Sequence, residues 1–360
     1  MKINPMAHIV TAASALPDHY YRQEEITAAI QTLWASHVRL SSLERLASFH
    51  RNMQIKGRYL ALPIEEYLQP SRFRERNQAW IHNALKLGEK AICQVLEQAN
   101  IDASQINQIA FTTITGIAAP SIDARLMNRI PFSSDVKRMP LFGLGCMGGA
   151  SGIARLADYL AGHPREAALL LSVELCSLTI QQNDISPENM VSTGLFGDGA
   201  AAVLMVGTEH PLAKERQPRV IASRSVFFPQ TEYIMGWDMC DTGFKVVLSS
   251  DVAEIVKTGL GPAMDAFLRQ HGLCSDQIDH WLVHPGGPKI IQAIEIALGL
   301  KIGMLDRSRE LLASVGNLSS AAVLVMLEKV LREEPPVPGR HGLLMAMGPG
   351  FSAELILLEW

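Results

Sequence analysis

The chain has 360 residues, of which 48 % are hydrophobic and 19 % charged, and its formal net charge is −4. This length is enough for two domains or one large double domain with a sizeable core. The apolar composition excludes a disordered chain, and the small negative charge provides no basic field for nucleic acid.

The N-terminal stretch 1–21 is interrupted by His8, Thr11, Ser14 and Pro17, so it lacks the pattern of a signal peptide. No apolar run in the sequence reaches the roughly 18 residues that a membrane helix needs. The five cysteines form no CxxC pair, which argues against a zinc site and a disulfide framework. We therefore expect a cytoplasmic protein with reduced thiols, no membrane span and no metal site.

Helical patterns alternate with short β-rich runs along most of the chain. Apolar residues recur at helical spacing over 79–101, and a predicted strand follows at 108–116. Further on, a predicted helix over 146–162 precedes an apolar run at 166–175. Continuous apolar strands between helices favour an α/β fold with a mostly parallel sheet that is covered on both faces.

Two segments about half a chain length apart share one pattern. Residues 100–113 and 272–285 each contain a helix exit, then Gln-Ile-Asn or Gln-Ile-Asp, then an apolar strand. We interpret them as a duplicated α/β unit, although two amphipathic segments can also coincide by chance. The predicted seam lies between the runs 200–207 and 214–226. We therefore divide the chain into an N-terminal half, residues 1–212, and a C-terminal half, residues 213–360.

The stretch "LFGLGCMGGA" (141–150) places one cysteine, Cys146, among glycines at the predicted joint between a strand and a helix. At a helix N-terminus the unpaired N–H groups and the helix dipole favour a thiolate over a thiol. The neighbouring glycines remove side chains that would crowd an incoming acyl group. These features predict a nucleophile, whereas a tight turn around a buried thiol is the structural alternative.

Two polar residues at other junctions are candidate partners for this cysteine. His284 follows the strand-like run "IDHWLV" directly, at the strand end where parallel sheets bind ligands. Asn317 lies in a Gly-Asn turn before a long apolar helix, where capping that helix is its more common use. A cysteine, a histidine and an asparagine in such positions indicate acyl transfer. Cys146 would carry the acyl group, and the His284 Nε2–H and Asn317 amide would stabilise an oxyanion. The final stretch, 342–360, predicts a hairpin with a Gly-Pro-Gly tip near the same cavity.

Nearly end to end, the chain resembles the chalcone synthase-like family, the type III polyketide synthases. The segment "GCMGGA" is similar to the family's nucleophile motif, "HPGGPKI" to its histidine motif, "GNLSSA" to its asparagine motif and "GPGFSAE" to its cyclisation loop. A further match, "GLFGDGAAAV", places the family's gatekeeper phenylalanine at Phe196. Several motifs in the right order are more specific than any one of them alone.

The resemblance implies a thiolase-like αβαβα layered fold with two pseudo-repeated halves, and a homodimer. It also implies iterative decarboxylative Claisen condensation of malonyl-CoA onto an acyl-CoA starter held on Cys146. The CoA thioesters are then substrates, and no cofactor, metal or carrier protein is needed. His284 and Asn317 would stabilise the enolate left by decarboxylation, and Phe196 would shield the malonyl group from water.

The resemblance also assigns the substrate pocket and the CoA contacts. Alignment with the family puts Arg45 on a CoA-contacting position, and nearby cations are substitutes or lie on a solvated helix face. The predicted CoA-binding residues are Arg45, Arg51, Lys56 and Arg58. The predicted pocket residues besides Phe196 are Ile114, Cys176, Leu178, Thr179, Val246 and Ser319.

The identity of the starter depends on the size of this pocket. Cys176 and Val246 are smaller than the residues common at these positions in the family, which favours a medium- or long-chain fatty acyl-CoA. The expected product is then an alkylpyrone or alkylresorcinol. Two alternatives stay open, a phloroglucinol-type synthase that uses only malonyl-CoA and a single-round condensing enzyme similar to ketoacyl synthase III.

Overall fold

The structure is a computed structural model that describes residues 5–35, 38–333 and 337–360. Its strands are β1 (Ala7–Ala15), β2 (His19–Arg22), β3 (Gly57–Leu60), β4 (Gln108–Thr113), β5 (Lys137–Phe142), β6 (Ala167–Leu175), β7 (Asp198–Val206), β8 (Arg219–Phe227), β9 (Met235–Cys240), β10 (Gly243–Leu248), β11 (Ile278–Val283), β12 (His341–Gly348) and β13 (Ser352–Glu359). Its α-helices are α1 (Gln23–Trp34), α2 (Leu40–Asn52), α3 (Phe73–Ala99), α4 (Ile122–Leu126), α5 (Gly148–Gly162), α6 (Pro187–Leu195), α7 (Val252–Ile255), α8 (Gly261–Gln270), α9 (Pro288–Leu298), α10 (Asp306–Val315) and α11 (Ala322–Glu333).

Nine strands form one mixed sheet in the order β11-β12-β13-β8-β1-β7-β6-β4-β5. Only β4–β5, β4–β6 and β11–β12 pair in parallel, so the expectation of a mostly parallel sheet is wrong. Continuous apolarity reports that a strand is buried on both faces, and it does not report the direction of the neighbouring strand. For example, β6 is buried throughout and still pairs antiparallel with β7.

The sheet consists of two wings that meet at a short contact. One wing holds β5, β4, β6, β7 and β1, and the other holds β8, β13, β12 and β11. Strands β1 and β8 pair only through Ala7 with Val220 and His8 with Arg219. Because so few pairs join the wings, the two wings can face each other with helices between them.

Three hydrophobic cores separate the layers of the molecule. One core lies between α3 and the first wing, the second surrounds α5 and α11 between the wings, and the third lies between the second wing and helices α8 and α9. Successive residues of β7 alternate between the first two cores, as Leu204 and Val203 do. The predicted αβαβα layering is therefore confirmed.

The two similar sequence segments have the same local structure. A 3₁₀ turn at Ala103–Gln105 precedes β4, and one at Ser275–Gln277 precedes β11. The proposed division between residues 212 and 213 falls in the loop that joins β7 to β8, and it stays a prediction. Among the described residues, no helix has the length and apolarity needed to cross a membrane.

Candidate active site

Cys146 lies in a single 3₁₀ turn, Gly145–Met147, between the end of β5 and the start of α5. The predicted junction is thus observed, with strand and helix each beginning or ending a few residues from the expected bounds. Gly145 has a φ of +52°, in the left-handed region that favours glycine. A Cβ there would lie 2.4 Å from Cδ of Pro349, so the turn packs directly on the Gly-Pro-Gly segment between β12 and β13.

The two glycines after the cysteine have a different use from the one predicted. A Cβ on Gly148 would lie 2.3 Å from Oγ1 of Thr112, and one on Gly149 would lie 2.1 Å from the carbonyl oxygen of Ser320. These glycines face the protein interior and not the path of a substrate. They let α5 approach the turn that carries Asn317, and this approach brings the cysteine beside it.

His284 follows the last residue of β11, as the sequence predicts. Its backbone N–H donates to the carbonyl oxygen of Met345 on the neighbouring strand at 2.8 Å, which fixes the start of the loop. The side chain is 4 % exposed, and within the described residues neither ring nitrogen has a hydrogen-bond partner. Burial lowers the pKa of His284 to about 3, so the imidazole is neutral and its N–H is available to a bound carbonyl.

Asn317 and Phe196 are held next to each other by a backbone bridge. The Asn317 N–H donates to the Leu195 carbonyl, and the Gly197 N–H donates to the Asn317 carbonyl, both at 2.9 Å. Asn317 does not cap a helix in the way that is common for this residue. Its Oδ1 instead accepts the N–H of Ser319 at 2.8 Å, which leaves the amide N–H₂ for the cavity that the residue lines.

The Cys146 thiol is less acidic than its position at a helix start predicts. Burial raises its pKa to about 12, and the nearby charge of Glu174 acts in the same direction. Hydrogen bonding to the side chains of Ser319 and Asn317 lowers the pKa but does not offset burial. The expectation of a thiolate in the free protein is therefore wrong, because desolvation outweighs the helix dipole. A nucleophilic role of Cys146 would therefore require loss of the thiol proton during the attack.

This protonation state predicts how alkylation of Cys146 depends on pH. Below its pKa the thiolate fraction rises about tenfold per pH unit, so the rate with iodoacetamide should keep rising between about pH 7 and pH 10. Peptide mass spectrometry measures that rate at Cys146 separately from the exposed cysteines. Cys146→Ala is the blank for other sites, and a plateau already reached near pH 6 would indicate a thiolate–imidazolium pair instead.

One largely apolar cavity contains the three junction residues. The cavity and its open mouth enclose about 810 Å³. The predicted residues that line it are Cys146, His284, Asn317, Phe196, Ile114, Cys176, Val246 and Ser319. Leu178 does not reach the cavity, because it packs into the core beside α3. Thr179 lies away from it as well, with its Oγ1 donating to the Cys176 carbonyl at 2.8 Å.

A second cavity of about 550 Å³ lies behind the first. Cys176 and Phe196 line both cavities and form the wall between them. Thr179 belongs to this second space, whose lining combines aliphatic side chains of α1, β3 and the 3₁₀ turn Ile64–Leu68 with Arg58, Tyr67 and other hydroxyl side chains.

The four predicted CoA-binding cations divide into two groups. Arg45, Arg51 and Lys56 are exposed, and their contact with CoA stays a prediction. Arg58 is 2 % exposed, so it cannot reach a phosphate in solvent. Its guanidinium donates to the backbone carbonyls of Thr193 and Phe196, and the assignment of Arg58 to CoA binding is wrong. The β-strand pattern of "GRYL" buries this side chain, a placement that charge alone did not predict.

Glu174 is a buried carboxylate beneath the site that the sequence analysis missed. Its Oε2 accepts the Ile114 N–H at 3.1 Å and the Thr115 hydroxyl at 2.9 Å, and its Oε1 accepts the Ser319 hydroxyl at 3.2 Å. Burial raises its pKa. The carboxylate ties the loop after β4 to the turn after Asn317. The one acid in the largely apolar run 167–175 was the available signal.

Trp237 is a cavity residue that the sequence analysis also missed. It lies on β9, and its ring packs edge-on against Phe244 of β10 with centroids 5.9 Å apart. Phe244 packs in turn against Phe73, with centroids 5.6 Å apart. The indole is therefore a large and well-supported part of the cavity wall. Nothing in the local sequence distinguishes it from an exposed tryptophan of a hairpin.

The arrangement combines the Cys146 thiol with two side chains that can donate hydrogen bonds, His284 and Asn317, in a largely apolar cavity. This is the requirement for transferring an acyl group and for stabilising negative charge on a thioester oxygen. In the part of the chain that the structure describes, no group of three or more His, Cys, Asp or Glu side chains could hold a metal ion.

Comparison with known proteins gives matches over nearly the whole chain. Residues 3–210 match the family model for the N-terminal domain of chalcone and stilbene synthases, and residues 219–359 match that for the C-terminal domain. A 1,3,6,8-tetrahydroxynaphthalene synthase of Streptomyces peucetius subsp. caesius is 46 % identical over 98 % of this chain and 93 % of its own. A phloroglucinol synthase of Pseudomonas fluorescens is 29 % identical over 96 % of both chains. The crystal structure of 1,3,6,8-tetrahydroxynaphthalene synthase from Streptomyces coelicolor A3(2) superposes with a TM-score of 0.92, at 29 % identity, over 98 % of this chain and 99 % of that one.

Proposed function

The chain belongs to the chalcone and stilbene synthase family and is a type III polyketide synthase that condenses malonyl-CoA, and on this premise we propose that Cys146, His284 and Asn317 are its catalytic residues. The family needs no cofactor beyond its CoA-thioester substrates. The observation that carries the proposal is the convergence of these three side chains and Phe196 on one cavity.

The first step loads the starter. The Cys146 sulfur attacks the thioester carbonyl of an acyl-CoA, and a C–S bond to the enzyme forms while the bond to the CoA sulfur breaks. Because the thiol is protonated in the free protein, the sulfur loses its proton as the C–S bond forms, and the proton ends on the departing CoA sulfur with the imidazole of His284 as the relay. The unpartnered ring nitrogens of His284 support this role.

The second step generates the nucleophile from malonyl-CoA. The bond between the malonyl α-carbon and its carboxylate breaks, CO₂ leaves, and the electron pair remains as an enolate on the thioester oxygen. The Nε2–H of His284 and the amide of Asn317 donate hydrogen bonds to that oxygen, which need no reorganisation in a dry cavity. Phe196 adds an apolar wall next to the carboxylate that is lost.

The third step forms the carbon–carbon bond. The enolate carbon attacks the Cys146 thioester, and the Cys146 sulfur leaves as a thiolate. That thiolate then takes the lengthened β-ketoacyl group back from CoA, releasing CoA, and the cycle repeats. Repeated cycles give a poly-β-ketone that closes to a ring in the cavity.

For the starter, we propose a malonyl unit and a small polyhydroxylated aromatic product. The supported indole of Trp237 occupies part of the wall of the cavity that Cys146 lines, and we infer that this bulk favours a short starter. The relative at 46 % identity is named a tetrahydroxynaphthalene synthase, and a second relative is named a phloroglucinol synthase. This is the alternative that the sequence analysis left open, and these observations favour it over a fatty starter.

A fatty acyl-CoA starter is the second candidate, and the second cavity favours it. Aliphatic side chains form part of the lining of that cavity, and Cys176 and Phe196 line both cavities. Displacement of this wall would give an alkyl chain a dry path away from the cysteine. The product would then be an alkylpyrone or alkylresorcinol.

Product analysis separates these candidates. We expect the purified protein to convert malonyl-CoA alone into an aromatic compound whose mass corresponds to several acetate units. Addition of acyl-CoAs of about eight to eighteen carbons should leave that product dominant in mass spectra. Alkylated products in place of it would refute the malonyl starter, and one acetate increment only would indicate single-round condensation. Heat-denatured protein is the control for spontaneous chemistry.

Three further parts of the assignment belong to this proposal. We propose a homodimer, in keeping with the family resemblance, and light scattering tests that state. Arg45, Arg51 and Lys56 would contact CoA phosphates, since all three are exposed and lie on α2 or just beyond its C-terminal end. Residues 1–212 would carry the nucleophile, and residues 213–360 the histidine and asparagine.

A further inference from the structure

The C-terminal end of α6 is bound by side chains from the opposite side of the cavity wall. The last carbonyls of a helix lack partners within the helix and need them from elsewhere. Arg58 of β3 donates through Nη2 to the Thr193 carbonyl at 2.6 Å and through Nη1 to the Phe196 carbonyl. One guanidinium therefore spans the chain from inside the last turn of α6 to the gatekeeper residue.

A neighbouring side chain completes this contact. Gln23 of α1 donates through Nε2 to the Gly194 carbonyl at 2.8 Å, and its Oε1 accepts the Arg58 Nε–H at 3.2 Å. The remaining carbonyl, that of Leu195, accepts the N–H of Asn317 at 2.9 Å. The segment that carries Phe196 thus has every carbonyl from 193 to 196 occupied.

Arg58 also contacts the turn that carries Asn317. A Cβ on Gly316 would lie 2.7 Å from Cδ of Arg58, so the arginine stem packs directly under the residue before Asn317. Gly316 also has a φ of +75°, in the left-handed region that favours glycine, so both the backbone conformation and the contact with Arg58 disfavour any larger residue here. The arginine therefore touches the chain on both sides of the Phe196–Asn317 bridge.

The Arg58 guanidinium is buried, and desolvation disfavours its positive charge there. Burial lowers the pKa of Arg58 to about 10, which leaves it charged at neutral pH, and the buried carboxylate of Asp198 supports the charge. A buried charge is tolerated when its donors are used by well-placed acceptors. Here those acceptors are the backbone carbonyls of Thr193 and Phe196, so the buried charge binds the segment that carries Phe196.

We propose that Arg58 is a positioning residue for Phe196, whose carbonyl it binds, and for Asn317, whose preceding residue it contacts; both are proposed to act in malonyl-CoA decarboxylation. The proposal rests on the roles proposed above for Asn317 and Phe196. A planar fork of donors matches two carbonyls at once, whereas a lysine ammonium cannot bind both in the same geometry. Loss of the fork frees the carbonyls of Thr193 and Phe196, and the bridge to Asn317 shifts.

A purely structural arginine would behave differently. Cys146 is held by α5, through the packing of Gly148 against Thr112 and of Gly149 against Ser320, and neither of these contacts involves Arg58. If Arg58 positions Asn317 and Phe196, its replacement should impair malonyl-CoA decarboxylation while Cys146 keeps its reactivity. If it only stabilises the fold, both properties should fall together with the melting temperature.

The test compares Arg58→Lys and Arg58→Met with the wild type in two assays, conversion of malonyl-CoA to acetyl-CoA and alkylation of Cys146 by iodoacetamide. We expect Arg58→Lys to lower kcat for decarboxylation about 10- to 100-fold with little change in KM, since small displacements of catalytic groups have effects of this size. Cys146 alkylation should stay within about threefold of the wild type. Arg58→Lys keeps the charge, so it remains informative if Arg58→Met does not fold.

Arg76→Lys is a matched control, since Arg76 is also buried and also donates to backbone carbonyls, those of Ser71 and Thr242. It should leave the ratio of decarboxylation to alkylation unchanged. Wild-type decarboxylation in Arg58→Lys, or an equal loss in both assays, overturns the proposal. If Asn317→Ala decarboxylates normally, the proposed function fails; if only Asn317→Ala is impaired and Arg58→Lys is not, the Arg58 proposal alone fails.

Discussion

Replacing the proposed nucleophile, Cys146→Ala, should abolish acyl-enzyme formation and lower polyketide production about 10³-fold or more, since the proposed mechanism holds the growing chain on this sulfur. Decarboxylation of malonyl-CoA should persist, because the proposed donors to the enolate belong to His284 and Asn317 and not to the sulfur. Intact-protein mass spectrometry after incubation with substrate measures the acyl-enzyme. Quantification of acetyl-CoA measures decarboxylation in the same samples.

The structure offers a matched control for this substitution. Cys93 is an exposed cysteine on α3, outside the cavity lining, and Cys93→Ala should keep both acylation and product formation. An acylated protein in the Cys146→Ala sample would show that another residue is the nucleophile. Loss of decarboxylation together with condensation would contradict the separation of roles between the cysteine and the two donors.

The sequence predicted those site residues whose neighbours in the chain restrict the backbone and which lie at the end of a strand or the start of a helix. Glycines around Cys146 and the strand directly before His284 restrict the backbone strongly enough to place both side chains, and the structure has them at those junctions. A sheet covered on both faces was predicted from the alternation of helices and apolar strands, whereas the αβαβα layering was expected from the family resemblance. The direction of strand pairing was predicted wrongly, because a strand with apolar residues on both faces fits parallel and antiparallel neighbours equally well.

The errors concern properties that depend on the tertiary environment. Arg58 is basic and lies two residues after Lys56, yet Lys56 precedes β3 and is exposed, whereas Arg58 lies within β3 and is buried against the end of α6. Leu178 follows Cys176 closely in sequence but points into a core in the 3₁₀ turn they share. The pKa of Cys146 depends on how much of the sulfur is desolvated, and a helix start alone does not determine that.

Removing the second enolate donor, Asn317→Ala, should reduce malonyl-CoA decarboxylation about 10²- to 10³-fold, the effect of losing one preorganised oxyanion donor. The loss should appear in kcat, because the amide acts on charge that develops during the reaction and not on the bound substrate. Formation of acetyl-CoA in a Cys146→Ala background isolates this step from condensation. The double variant is therefore compared with Cys146→Ala alone.

Asn317→Asp separates the lost donor from a disturbed turn. The aspartate can still accept the Ser319 N–H that Asn317 Oδ1 accepts at 2.8 Å, so the turn next to Cys146 is retained. It lacks the N–H₂ group and adds a negative charge beside the enolate, so decarboxylation should fall at least as far as in the alanine variant. Alkylation of Cys146 in Asn317→Asp reports whether the site is intact. Near-normal decarboxylation in both variants would mean that His284 stabilises the enolate without the asparagine, and the paired-donor mechanism would be wrong.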